Sequence, residues 1–380
     1  MKIRHVLRYP VDIFRAKGML GEKLCMDASY CGRPVALDLY TPDLLFDCGR
    51  HLASIAHYAS CNKSPIVLRC ARILLAAISR KPYGGQMLQM PNVAWVDTDA
   101  VLPRTALVLA DVPSHQFTRP LWNQQTMEML IGESIFDHCP VMPYPMHPKV
   151  LEFSDAGNLH GCRQNANRAG ILFSGTQRAK YARPNMSRQF DVLNRMEILE
   201  TLRKSFSGRV VDSAANQVGS QVKNEADKPI PIVLPGPDAP RIEVHDWLPT
   251  LAEHQFFVCC PGVAQPLCHN LVESMSVGTI PIIEYADRIR PVLQDGVNAI
   301  CFSGPQGLRD AIARIDAMSA AEIRRMSVAV GEFYDQHLAG ETFLSQLCDM
   351  SVHGHTREVC MPFHSEDFFA AHQVQELVAA

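Results

Sequence analysis

Residues 256–283, "FFVCCPGVAQPLCHNLVESMSVGTIPII", constrain the fold of this chain more than any other stretch. The run from Phe256 to Cys260 is apolar without alternation, as expected of a strand covered on both faces in a parallel sheet. Pro261 and Gly262 end it. Pro266 suits the first turn of a helix, where its missing N–H would be unpaired anyway, and Gly278 is placed to end that helix. The spacing predicts a helix of about three turns. Leu267, Leu271 and Met275 recur every four residues as one apolar stripe, whereas His269 and Glu273 lie one turn apart on another face with Asn270 beside them. "TIPIIEY" then reads as the next strand. Strand, helix and strand in this order imply a right-handed parallel crossover.

A core crossover has no need of that polar face, so the residues on it raise a functional question. In open parallel sheets ligands gather outside the carboxyl ends of the strands, where helix N-termini offer free N–H groups to phosphate. The loop 261–265 falls there. A carboxylate inside the following helix, Glu273, can accept two hydrogen bonds from a ribose diol. Equally, the face can be a solvated one on which Glu273 caps or pairs locally.

The stretch resembles the donor-binding signature of GT-B glycosyltransferases, which have a Glu, seven residues, a second Glu, a small-residue turn and a Gly-Thr-Pro strand. Glu273 matches the second Glu, whereas Gln265 stands where the first would be. The wording "FFVCCPG…PLCHNLVESMSVGTIPII" is closer still to exostosin-like transferases, with His269 or Asn270 at the position of that family's helix Arg. The similarity covers roughly residues 240–315. The resemblance implies an α/β fold of the GT-B type, two Rossmann-like domains facing across a cleft. It also implies a nucleotide-sugar donor as co-substrate with no other cofactor, and a saccharide or glycoconjugate acceptor. Gly262, Gln265, His269, Asn270 and Glu273 would line the donor site.

A second loop carries compatible chemistry. In "FSGTQRAKYARP", Gly175 and Thr176 form a turn directly after the apolar strand of "RAGILFSGT", and Arg178, Lys180 and Arg183 follow. Such a turn offers N–H groups and cations to a diphosphate, or is simply a solvated basic loop. In the resembled enzymes the corresponding loop faces the donor phosphates.

The N-terminal half alternates strand signals ("RPVALDLY", "PIVLRC", "VAWVDTD", "TALVLAD") with helical spacing ("LLFDCGRHLASIAHYA", "LRCARILLAAIS"), a pattern of α/β type. Four prolines in "CPVMPYPMHPKV", 139–150, mark a boundary. The expected division is an acceptor-side domain over 1–150, a nucleotide-sugar domain over 165–340 and a helical tail over 341–380. A helix is expected around "SRQFDVLNRMEILETLRKSF", and 212–240 reads as a long surface loop.

With 380 residues, 47% hydrophobic and 20% charged, the chain is of ordinary globular composition. A net charge of −3 with interspersed signs gives no general attraction to nucleic acid. No apolar run reaches membrane-span length and the N-terminus lacks the core of a signal peptide. A soluble cytoplasmic protein is the expectation, with peripheral membrane association left open. The 13 cysteines are scattered without a C-x-x-C pair, which reads as reduced thiols, several in the core, rather than a zinc site. The sequons at Asn62 and Asn185 matter only in a secretory compartment.

Inverting sugar transfer needs a base for the acceptor proton. "LADVPSHQF" offers Asp111 and His115 just past an apolar strand, with Asp38 in "ALDLYTPD" as another candidate. Asp97 and Asp99 in "VAWVDTDAV" supply the alternative of a metal-dependent GT-A enzyme; the favoured reading needs no metal. A non-catalytic nucleotide or glycan binder on the same scaffold is the further alternative.

Overall fold

The computed structural model describes residues 3–21, 29–112, 126–132, 138–212, 229–263, 265–353 and 357–362. The chain forms two α/β units, one from Met1–Pro148 with Gly340–Phe363 and the other from Lys149–Ala339. Each is built on a six-stranded, wholly parallel sheet.

In the first unit the strands are β1 (Val35–Leu39), β2 (Ile66–Cys70), β3 (Val93–Val96), β4 (Leu107–Ala110), β5 (Thr126–Gly132) and, after the chain has passed through the other unit, β12 (Glu358–Pro362). Their order, β12-β5-β4-β1-β2-β3, reverses direction of progress between β1 and β4. Every residue of β1, β2 and β4 is buried, which is why these strands read as unbroken apolar runs. The helix expected from residue 44 instead starts at Arg50, after a 3-10 segment. Asp47, Cys48 and Gly49 are successively left-handed, with φ of 46°, 61° and 79°. A Cβ on Gly49 would stand 2.9 Å from the Gly84 nitrogen, so this corner needs glycine on two counts.

The C-terminal stretch read as a helical tail is more than that. Helix Gly340–His353 is followed by β12, which pairs with β5. Arg33 fastens the helix end, donating to the Cys348 carbonyl and, at 2.9 Å, to the Ser351 hydroxyl. The prolyl segment joins in: Cys360 donates its N–H to the Pro140 carbonyl and Met142 to that of Cys360, both at 2.8 Å.

The second unit's strands are β6 (Ile171–Leu172), β7 (Val210–Val211), β8 (Ile232–Val233), β9 (Phe256–Val258), β10 (Ile280–Ile283) and β11 (Ile300–Cys301), in the order β11-β10-β9-β6-β8-β7. The switch point lies between β6 and β9. Strand β8 falls within the expected surface loop 212–240; two residues flanked by prolines leave no periodicity to read, yet both are fully buried between β6 and β7. The helix expected over 187–206 is two, Asn185–Phe190 and Arg195–Ser205, separated where Asp191 turns left-handed at φ 53°. Asn194 caps the second, accepting from the Met196 and Glu197 N–H groups at 3.0 Å, and Glu197 returns the bond at 2.8 Å.

The crossover helix of 256–283 spans His269–Ser276, about two turns rather than three. Pro266 therefore precedes the helix and Cys268, in extended backbone, is its N-cap. Gly262 and Gln265 come too close for an earlier start: a Cβ on Gly262 would lie 2.8 Å from the Gln265 carbonyl oxygen. Gly278 ends the helix at φ 75°, donating to Met275 while Thr279 donates to Ser274, each at 3.0 Å, the paired bonds of a Schellman motif.

Candidate functional site

In the second unit the carboxyl ends of β6 and β9 bring together the two loops singled out from sequence. Asn270 Nδ2 donates to the Ser174 carbonyl at 3.2 Å, tying the crossover helix to the turn containing Gly175 and Thr176. Asn185 Nδ2 donates to Val263 at 2.9 Å and fixes the loop after β9. Gly175, Thr176, Arg178 and Lys180 are exposed, Gly262, His269 and Asn270 half-buried, and Gln265 buried.

Between these loops lies a residue that sequence reasoning passed over. Arg195, the first residue of its helix, is only 5% exposed. Its guanidinium spans the switch point, donating from one terminal nitrogen to the Thr176 carbonyl and from the other to the Pro261 carbonyl, each at 3.0 Å. Tyr181 stacks on it, ring centroid 3.8 Å from Cζ. Among the described residues no carboxylate meets this cation, and its Nε has no partner. An unpaired buried charge costs several kcal/mol unless an anion completes it. The Tyr285 hydroxyl, fully buried in the same interior, is also unmet, and burial holds its pKa well above the ordinary value. The neighbouring Cys260 thiol is pushed up to about 12 by burial, so it is no nucleophile. An Arg beside a capping box looks like an ordinary helix start; only the meeting of two loops at the switch point distinguishes it.

Glu273 is 1% exposed, and Trp247 donates its indole N–H to Glu273 Oε2 at 2.7 Å. Ser274 and Ser276 of the crossover helix are buried as well, their hydroxyls donating to the Leu271 and Glu273 carbonyls. The Trp247 partner of Glu273 comes from another helix and the Glu273 side chain is buried, so the expectation of a solvated face with a local cap or pair is not met. Glu284, just past β10, accepts from the Leu193 and Gly304 N–H groups at 2.6 Å and so braces the chain entering Arg195's helix.

The first unit's switch point is arranged differently. Asp111, past β4, accepts from Tyr40 N–H at 2.8 Å, Thr41 N–H at 2.9 Å and the Thr41 hydroxyl at 2.8 Å. It pins the loop after β1. Burial pushes its pKa up to about 6, against the lowering effect of those donors. Asp38 is held by Arg69 through both carboxylate oxygens, the Nε bond measuring 2.8 Å, which leaves it poorly suited as a base. His115 lies outside the described residues. Asp97 pairs with Arg72 at 2.9 Å, and the Thr98 N–H, with Arg72 assisting, lowers its pKa. Among the described residues no three His, Cys, Asp or Glu side chains converge to hold a metal. Among the described residues no cysteine is in a disulfide; Cys70, Cys259 and Cys260 are buried and Cys301 is half-buried.

No family model and no curated protein matches this chain. Solved structures similar to it include a glycosyltransferase from Rickettsia africae, 8% identical with a TM-score of 0.47, covering 86% of this chain and 99% of that one. Anabaena Alr3699/HepE in complex with UDP and glucose is 8% identical with a TM-score of 0.40, covering 83% and 100%. The N-terminal domain of Candida albicans trehalose-6-phosphate phosphatase is 8% identical with a TM-score of 0.41, covering 85% and 98%. At these values the likeness bears on neither substrate nor residue roles.

Proposed function

We propose that the chain is a GT-B glycosyltransferase of exostosin-like type, which moves a sugar from a nucleotide-sugar donor to a saccharide or glycoconjugate hydroxyl. The observation that carries this reading is Arg195: a buried guanidinium at a topological switch point, with no carboxylate partner among the described residues, facing the loop where a phosphate would lie. A donor diphosphate supplies the missing charge. Arg178 and Lys180, on the exposed turn beside it, neutralise the leaving group as its charge develops. Gly175 and Thr176 form the phosphate turn, and Gly262 lets the loop after β9 fold tightly against Gln265. Glu273, oriented by Trp247, is the group that a ribose diol bonds, with His269 and Asn270 at the start of the same helix. The acceptor binds mainly on the first unit, where Asp111, with its raised pKa, and His115 are the candidate bases.

The experiment is nucleotide-sugar hydrolysis and transfer by the full chain, with isothermal titration of a nucleoside and its diphosphate in parallel. Binding of the diphosphate form, together with slow donor hydrolysis, is expected. Affinity without any turnover would instead make the chain a nucleotide binder. In an Arg178→Ala or Lys180→Ala variant, turnover should fall more than nucleoside affinity.

A further inference from the structure

Helix Ile3–Leu20 has two working faces. The inner one carries Asp12, Ala16 and Leu20, all buried. Arg80 donates to the Asp12 carboxylate at 3.0 Å and the Ser79 hydroxyl to the Asp12 carbonyl at 3.2 Å. At about 100° per residue the opposite face holds Val11, Phe14 and Gly18. Arg8 and Arg15 run along one border of that strip and Lys17 along the other. Val11 is 65% and Phe14 79% exposed, and all three cations are exposed. Asp12, the acid of this helix, is one turn from Arg8 and from Arg15, but it is buried and held by Arg80.

Two large apolar side chains held in water on one strip, between borders of a single charge, match a helix lying in the plane of a membrane surface. We propose that this face docks onto an anionic phospholipid bilayer, Val11 and Phe14 entering the acyl boundary while Arg8, Arg15 and Lys17 meet lipid phosphates. A second copy of the chain fits the face poorly. A two-fold contact along the strip would set its cations against their own counterparts. No helix among the described residues is long and apolar enough to cross a membrane, so the attachment is to the surface. The inference is independent of the glycosyl-transfer reading.

The test is co-sedimentation of the full chain with phosphatidylcholine vesicles, with and without phosphatidylglycerol, at low and high salt. Binding is expected only with phosphatidylglycerol and should weaken with salt. At about 1 kcal/mol per cation, an Arg8→Gln, Arg15→Gln, Lys17→Gln variant should bind on the order of a hundredfold more weakly. Phe14→Asp should lose binding as well, with Phe14→Ser as the milder variant, and neither should shift the thermal unfolding of so exposed a position. Equal binding to both vesicle types, or to neither, overturns the proposal. So does a dimer in light scattering that Phe14→Asp dissolves while vesicles stay unbound.

Discussion

Arg195 and Asp111 show how a single buried charge can serve opposite ends. Arg195 meets no carboxylate among the described residues, so its place in the unliganded protein costs desolvation that two carbonyl bonds only partly offset. Arg195→Met should therefore change the urea-unfolding stability by no more than about 1 kcal/mol, whereas diphosphate affinity should fall by about 1.5–3 kcal/mol. A large stability loss with unaltered affinity would make Arg195 a structural residue. Asp111 works in the other sense. Its pKa is raised from 3.8 to about 6 in the folded protein, so between those values the folded state holds the proton more tightly than the unfolded chain. Stability from this group is fully present below about pH 4 and is lost as pH rises through about 6, by on the order of 2–3 kcal/mol. Comparing the pH dependence of unfolding for the protein and its Asp111→Asn variant isolates the effect; identical slopes between pH 4 and 6 would refute it. At this scale the sequence was least informative. Glu273 and Asp111 are polar letters in either role, and only the Trp247 indole and the loop after β1 decide what their oxygens touch.

At the scale of elements, the crossover from β9 to β10 depends on its two glycine corners. Of these Gly278 is left-handed and crowded, and a Cβ placed on it would lie 3.1 Å from the Ser327 carbonyl oxygen; Gly296, beyond β10, is left-handed too, at φ 73°, but opens onto space. Both substitutions to Ala carry the backbone penalty of about 1–2 kcal/mol, and only Gly278→Ala must also displace a packed helix. Chemical denaturation should rank Gly278→Ala below Gly296→Ala by a further 1 kcal/mol or so. Equal losses would mean that the Ser327 turn yields freely. The strand β9, the helix and β10 were legible because fully buried strands are apolar throughout and Pro and Gly punctuate them. The helix start was not, since Pro266 is compatible with a first turn and only the close approach of Gly262 to Gln265 delays the helix to His269. Strand β8 escaped for a different reason: two residues carry no period, and its membership of the sheet comes from the backbone of β6 and β7 on either side.

For the whole molecule the open chemical question is whether transfer needs a divalent ion. On the proposed reading, Arg195, buried at the switch point, with Arg178 and Lys180 on the turn beside it, would supply the leaving diphosphate with cations of the protein's own. Asp97 is already occupied by Arg72 and the Thr98 N–H. We expect transfer or donor hydrolysis to persist in excess EDTA and in an Asp97→Asn, Asp99→Asn variant. Loss of activity in EDTA, its return with Mn²⁺ and a dead but folded double variant would together point to metal-dependent chemistry and remove the role given to Glu273.

Alternation of buried apolar runs with helical spacing determined that this chain makes parallel α/β units. These are local properties, written in burial and backbone freedom a few residues at a time. Sequence could not determine that residues beyond 340 return to complete the first sheet as β12, because a strand's place depends on the partner it finds, here β5, which lies far back in the chain. Nor could it show that Arg195 would bridge β6 and β9. That residue is remote in sequence from Pro261, and a charge becomes a binding feature only when the fold strips it of water and withholds a counter-ion.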